Sequence, residues 1–151
     1  MKYIYDMKSP IGTLYIGEKN GYITDITLKK IDGVRKKTKA IEQVIKEITE
    51  YFKGERIEFS FKMNEKASPF QKKVFGYLKT IPYGKTRTYS DVAMAIGDKR
   101  YARACGRAIG KNPIMIAIPC HRVIRKDNTL GGFSGGVENK KILLNLERDK
   151  C

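Results

Sequence analysis

Asn20-Gly21 is the dipeptide that most narrows what this chain can fold into. Both residues tolerate positive φ, which a two-residue hairpin turn requires. Beside it lie Thr13 to Gly17 and Tyr22 to Leu28, short segments rich in Ile, Tyr and Thr and partly alternating; Lys2 to Tyr5 has the same character. The three read as strands, the first two separated by Pro10 and Gly12. After a basic, loop-like stretch from Lys29 to Lys39 the period changes. Ile41, Val44, Ile45, Ile48, Tyr51 and Phe52 fall on one helical face, and Gly54 ends that helix. Ile57, Phe59 and Phe61 alternate with polar residues and predict a further strand. Met63 to Ala67 is polar and unpatterned, the natural place for a boundary. The expected architecture is α+β in two small domains. Residues 1–64 form a three-stranded antiparallel sheet with a helix, and residues 65–151 form a helical unit.

The second unit announces its helices by their caps. Ser68-Pro69-Phe70-Gln71 is a capping box with Pro in the first turn, and Phe70, Val74, Phe75 and Leu78 form the stripe behind it. Ile81-Pro82-Tyr83-Gly84 is a turn. Thr88 and Asp91 cap the next helix, which Gly97 closes, and another runs from about Arg100 to Ile109. Two short helices joined by a tight turn make a helix-turn-helix. On the second, Ala102, Cys105 and Gly106 share a face small enough for close backbone approach, beside Arg103. Lys111-Asn112-Pro113 stops this helix. Leu130 to Gly136 is a glycine-rich loop able to hug a ligand. A last helix, about Val137 to Arg148, is expected to turn Val137, Ile142, Leu143 and Leu146 inward, with Glu147 near its end.

Charge indicates the partner. A formal net charge of +15 over 151 residues exceeds what a solvated surface needs and points to an anionic partner, nucleic acid ahead of membrane. The start, MKYIYDMK, has no signal-peptide pattern, and no apolar run reaches membrane-spanning length; a reducing intracellular location, the cytoplasm, follows. Three widely spaced cysteines and one histidine support neither a disulfide framework nor a His/Cys metal cluster.

That single histidine, His121, directly follows Cys120, after the apolar run Ile114 to Ile118 and Pro119. An unperturbed thiol is only a few per cent thiolate at neutral pH, so a reactive Cys120 needs its pKa lowered. In an extended segment neighbouring side chains point to opposite faces. Cys120 and His121 therefore meet only through a bend or a bridging water, and a carboxylate, for which Glu147 is one candidate, would orient the imidazole. A buried inert cysteine beside an incidental histidine is the alternative. Cys105 reads as structural and Cys151 as incidental.

Ile118-Pro119-Cys120-His121-Arg122-Val123 resembles the active-site signature of the O6-alkylguanine-DNA alkyltransferases, the methylated-DNA–protein-cysteine methyltransferases. Phe70-Gln71-x-x-Val74, Ile81-Pro82-x-Gly84-x-x-x-x-Tyr89, Ala102-Arg103-Ala104, Asn112-Pro113, Phe133-Ser134-Gly135-Gly136 and Leu143-Leu144-x-x-Glu147 resemble the family in order and spacing, over about residues 68 to 149. The resemblance implies a ribonuclease H-like first domain and a winged helix-turn-helix second domain. It implies that Cys120 accepts the alkyl group of O6-alkylguanine, and less readily of O4-alkylthymine, in a single irreversible turnover without cofactor. His121 and Glu147 would be the water-linked relay to the thiol, Asn112 the brace of its turn, and Tyr89 the donor to guanine N3. Ser134 would bond to O6; Val123, Phe133 and Gly131 would line the base, Phe133 standing where relatives often carry Tyr. Arg103 would replace the flipped nucleotide, while Ala102, Ala104 and Gly106 let the helix enter the minor groove of double-stranded DNA. The protein would act as a monomer, away from membranes. Some relatives hold a structural zinc in the first domain; this chain has no Cys or His before Cys105, so none is expected. The competing readings are a non-catalytic lesion binder, a winged-helix regulator and a cysteine hydrolase.

Overall fold

The computed structural model describes Met1 to Lys150 except Ser134. It divides into two compact units, Met1–Lys66 with Pro113–Met115, and Ala67–Asn112 with the chain from Ile116 on. In the first, β1 (Lys2–Ser9), β2 (Gly12–Lys19) and β3 (Tyr22–Thr27) form antiparallel hairpins. Asn20 and Gly21 take φ of 55° and 84°, so the tight turn fixes Lys19 opposite Tyr22. A fourth, two-residue strand, β4 (Val34–Arg35), adds to β1 in parallel, giving the order β3-β2-β1-β4. Helix α1 (Lys39–Phe52) starts where the Thr38 side chain accepts the Ile41 N–H. Its Ile41, Val44, Ile48 and Tyr51 and the sheet's Leu14, Ile16, Ile23 and Ile26 are fully buried and make the core of this unit.

The strand expected over Ile57 to Phe61 does not form; only Met63 bridges to Ile23. Its pairing is satisfied otherwise. The Ser60 N–H and hydroxyl both donate to the buried carboxylate of Glu47, each at 2.7 Å, and Phe59 and Phe61 join Tyr51 in a ring cluster.

In the second unit α2 (Pro69–Leu78) and α3 (Tyr89–Ile96) begin with the two capping boxes, Ser68 with Gln71 and Thr88 with Asp91. Gly97 and a 3₁₀ turn, Lys99–Tyr101, lead into α4 (Ala102–Gly110), so the helix predicted from Arg100 is α-helical only from Ala102. Two short parallel strands, β5 (Arg87–Thr88) and β6 (Val123–Ile124), pair side by side. The core gathers Val74, Phe75, Leu78, Val92, Ala93, Cys105, Ala108, Ile118 and Val123. Cys105 therefore faces inward, not outward with Ala102 and Gly106. The last helix, α5 (Val137–Lys150), is turned differently from the expectation. Val137 and Ile142 are exposed, while Lys140, Leu143 and Glu147 form the inward stripe. The 3.6-residue period allows either phase through Leu143; the observed one carries two charged groups into the interior.

Candidate active site

Pro119 leads into a 3₁₀ turn, Cys120–Arg122, closed by Arg122 N–H donating to Pro119 O at 3.0 Å. This bend, absent from an extended reading, buries Cys120, His121 and Arg122 together. Asn112, at the end of α4, braces it by donating from Nδ2 to Ile118 O at 2.7 Å. Just upstream Ile116 sits at φ 74°, a left-handed conformation unusual for a β-branched residue.

Glu147 organises the turn. Its carboxylate receives His121 Nε2 at 2.6 Å, Arg122 Nε at 2.8 Å, Arg122 Nη2 at 3.1 Å and the Gly84 N–H at 3.3 Å. Arg122 Nη1 donates to Ile81 O at 2.7 Å. The Ile81-Pro82-Tyr83-Gly84 turn thus supplies an acceptor for the guanidinium and a donor for the carboxylate. Burial pushes the Glu147 carboxyl up, but the His121 and Arg122 bonds overcome it and hold the group well below the usual carboxylate range. Burial lowers the His121 pKa, Glu147 opposes this, and the charges of Arg122 and Lys140 assist it. The imidazole is therefore neutral. An ionised carboxylate only accepts, so Nε2 carries the hydrogen and Nδ1 is left as the acceptor. Nδ1 is buried and bonds to nothing among the described residues.

Burial pushes the Cys120 thiol up to about 11, against the pull of the Asn112 side chain, the Lys140 charge and the backbone N–H groups of Cys120 and His121. The resting group is a thiol surrounded by groups that favour its anion. Lys140 is the site residue that motif spacing did not single out, and Arg122 stood in the signature without an assigned role. Lys140 is fully buried and donates from Nζ to Val123 O at 2.6 Å and Gly132 O at 3.1 Å. The available signal was its spacing from Glu147 by two helical turns.

A cleft of about 180 Å³ lies in the same unit, lined by Tyr89, Gly106, Ile109, Gly110, Gly132 and Phe133. Gly131 takes φ 70°, and a Cβ there would lie 3.1 Å from the Tyr89 hydroxyl. Burial raises the Tyr89 pKa, Cys120 adds to the rise and Arg125 opposes it. Gly106 brings the α4 backbone beside the Tyr89 ring, 3.9 Å from the position of a Cβ. Ala102 and Ala104 are half-buried and Arg103 is exposed on α4. Ser134 lies outside the described residues. Among the described residues no group of three or more His, Cys, Asp or Glu is placed to hold a metal ion.

A helix-turn-helix unit that buries a cysteine among groups favouring its anion defines a class of nucleic-acid-directed protein whose nucleophile is its own thiol. Comparison with known proteins supplies the particular family. Residues 1–64 match the family described as 6-O-methylguanine DNA methyltransferase, ribonuclease-like domain, and residues 69–149 match its DNA binding domain. The constitutive methylated-DNA–protein-cysteine methyltransferase of Bacillus subtilis is 39% identical, over 98% of this chain and 96% of that protein. The methyltransferase of Methanosarcina acetivorans is 37% identical, over 93% and 94%. The crystal structure of Mycobacterium tuberculosis O6-methylguanine methyltransferase superposes with a TM-score of 0.92 at 34% identity, covering 100% of this chain and 95% of that one. The same organism's protein in complex with DNA gives 0.92 at 35% identity, over 99% and 94%. The chain belongs to the 6-O-methylguanine DNA methyltransferase family.

Proposed function

We propose that this protein repairs alkylated DNA by direct reversal, moving the alkyl group of O6-alkylguanine, and less readily of O4-alkylthymine, to Cys120 in a single turnover. The observation that carries this reading is the buried turn in which Cys120 sits beside a His121 held neutral by burial and oriented by Glu147 at 2.6 Å. His121 Nδ1 takes the thiol proton through a water. The sulfur then attacks the alkyl carbon in line. The S–C bond forms as the C–O6 bond breaks, and the electron pair passes into the guanine ring. Tyr89 donates to N3 and Ser134 to O6 as that charge develops, which lowers the barrier. Over the whole reaction the thiol proton ends on guanine. A thioether has no easy exit, so each molecule reacts once, and no cofactor is needed.

O6 of a paired guanine is inaccessible, so the nucleotide is flipped at a cost of a few kcal/mol. The basic surface offsets that cost through phosphate contacts. α4 enters the minor groove by its small residues Ala102, Ala104 and Gly106, Arg103 fills the stack, and the base rests in the cleft against Phe133, Gly131 and the Val123 backbone. In this reading residues 1–64 are the ribonuclease-like domain and 65–151 the winged DNA-binding, alkyl-accepting domain. The protein works as a monomer in the reducing cytoplasm, where a free thiol persists; among the described residues no helix is long and apolar enough to cross a membrane. Arg103→Ala tests the flipping step. It is expected to slow repair of duplex lesions at least tenfold more than reaction with free O6-benzylguanine, roughly the loss of one good contact. Equal losses on both substrates contradict it.

A further inference from the structure

Lys140 is a buried cation of the site with no place in the transfer just described. Its side chain is fully buried, a costly place for an ammonium unless it is bonded and matched by charge. Its Nζ spans two separate pieces of backbone. Val123 O, at 2.6 Å, belongs to β6, which leaves the Cys120 turn; Gly132 O, at 3.1 Å, belongs to the glycine-rich loop that walls the cleft with Phe133. A second tie runs from α5 to the same loop, Asn139 Nδ2 donating to Gly135 O at 2.8 Å. The charge of Lys140 also acts on both partners of the proton transfer. It favours the Cys120 anion and disfavours a cationic His121.

We propose that Lys140 is a positioning residue of the alkyl-transfer site, pinning the glycine-rich wall of the base cleft to the Cys120 turn and serving as counter-charge to the Cys120 thiolate. The inference rests on the alkyl-transfer reading. It gives a reason for a buried cation on α5 that stability alone does not require. The charged or titratable groups acting on Lys140 are Cys120, from the 3₁₀ turn, and Arg125, beyond the end of β6. Burial and Arg125 hold its pKa down, to about 8, with Cys120 opposing. The ammonium is therefore present at neutral pH and lost in mild alkali.

The test compares full-length wild type, Lys140→Met and Lys140→Arg in two assays. One follows the pH dependence of Cys120 alkylation by iodoacetamide, read by peptide mass. The other measures the rate of methyl transfer from an O6-methylguanine duplex. Lys140→Met is expected to slow Cys120 alkylation about tenfold at pH 7, where the ammonium is present, with the difference fading above pH about 8, and to slow transfer about tenfold. Lys140→Arg, which keeps the charge but not the compact three-donor head, is expected to restore the alkylation rate at pH 7 without the full transfer rate. A Met variant alkylated at the wild-type rate at pH 7 and transferring at the wild-type rate overturns the proposal. Should neither variant fold, the wild type decides: its rate should stop climbing above pH about 8, and an unbroken climb to pH ~10, near the free lysine value, overturns the role. A wild type that leaves its substrate duplex unchanged refutes the alkyl-transfer reading instead, since the iodoacetamide profile still reports on Lys140.

Discussion

At the scale of single residues, Glu147 carries the heaviest load, because one buried carboxylate serves both His121 and Arg122. Glu147→Gln leaves the guanidinium of Arg122 buried without its counter-ion and offers His121 an amide in place of an anion. Breaking a buried pair from one side costs about 3–5 kcal/mol, so denaturant unfolding should show a loss of that order, with slower methyl transfer. A loss under ~1 kcal/mol, the scale of an exposed pair, would contradict the arrangement. The pH dependence follows from two depressed folded-state values. His121 is held neutral in the fold but takes up a proton in the unfolded chain below its ordinary value of 6.5, so stability falls as pH drops through that value. Glu147 adds a second loss as pH falls below its ordinary value of 4.5, where the unfolded chain protonates first. In Glu147→Gln the lower part of this decline should shrink. Little of this was legible from spacing alone. Adjacency ruled out direct contact between extended Cys120 and His121 side chains, but it could not predict that a 3₁₀ turn sends His121 to a carboxylate 26 residues away.

At the scale of elements, legibility followed locality. The Thr88 and Asp91 box and the Ser68 and Gln71 box could be read because all their partners lie within one turn. Asn20-Gly21 could be read because its φ values are intrinsic. Ile57 to Phe61 misled because alternation shows only that a segment suits a sheet, whereas Glu47 took the Ser60 backbone N–H that a neighbouring strand would have bonded. α5 misled because Leu143 fits two stripes, and the one containing Lys140 and Glu147 is bought by long-range partners that periodicity does not see. The glycine-rich loop makes a sharper claim. At Gly131 a side chain meets both φ 70° and the Tyr89 hydroxyl, so Gly131→Ala should cost about 1–2 kcal/mol for the left-handed backbone alone. It should also reduce transfer from duplex DNA by displacing Tyr89. Wild-type stability and rate in that variant would show that the loop does not press on Tyr89.

At the scale of the whole molecule, the net charge of +15 and the helix-turn-helix together indicated an anionic, nucleic-acid partner, and the family match over both units agrees with them. Composition could not supply the chemistry. That came from the conjunction of the Pro119-Cys120-His121-Arg122 turn with a remote carboxylate. The central claim is that Cys120 itself keeps the alkyl group, and intact-protein and peptide mass spectrometry after incubation with an O6-methylguanine duplex tests it most directly. One added methyl per molecule is expected, on the peptide bearing Cys120 and on no other. Loss of the lesion with an unchanged protein mass, or a methyl group found on Cys105, would contradict it.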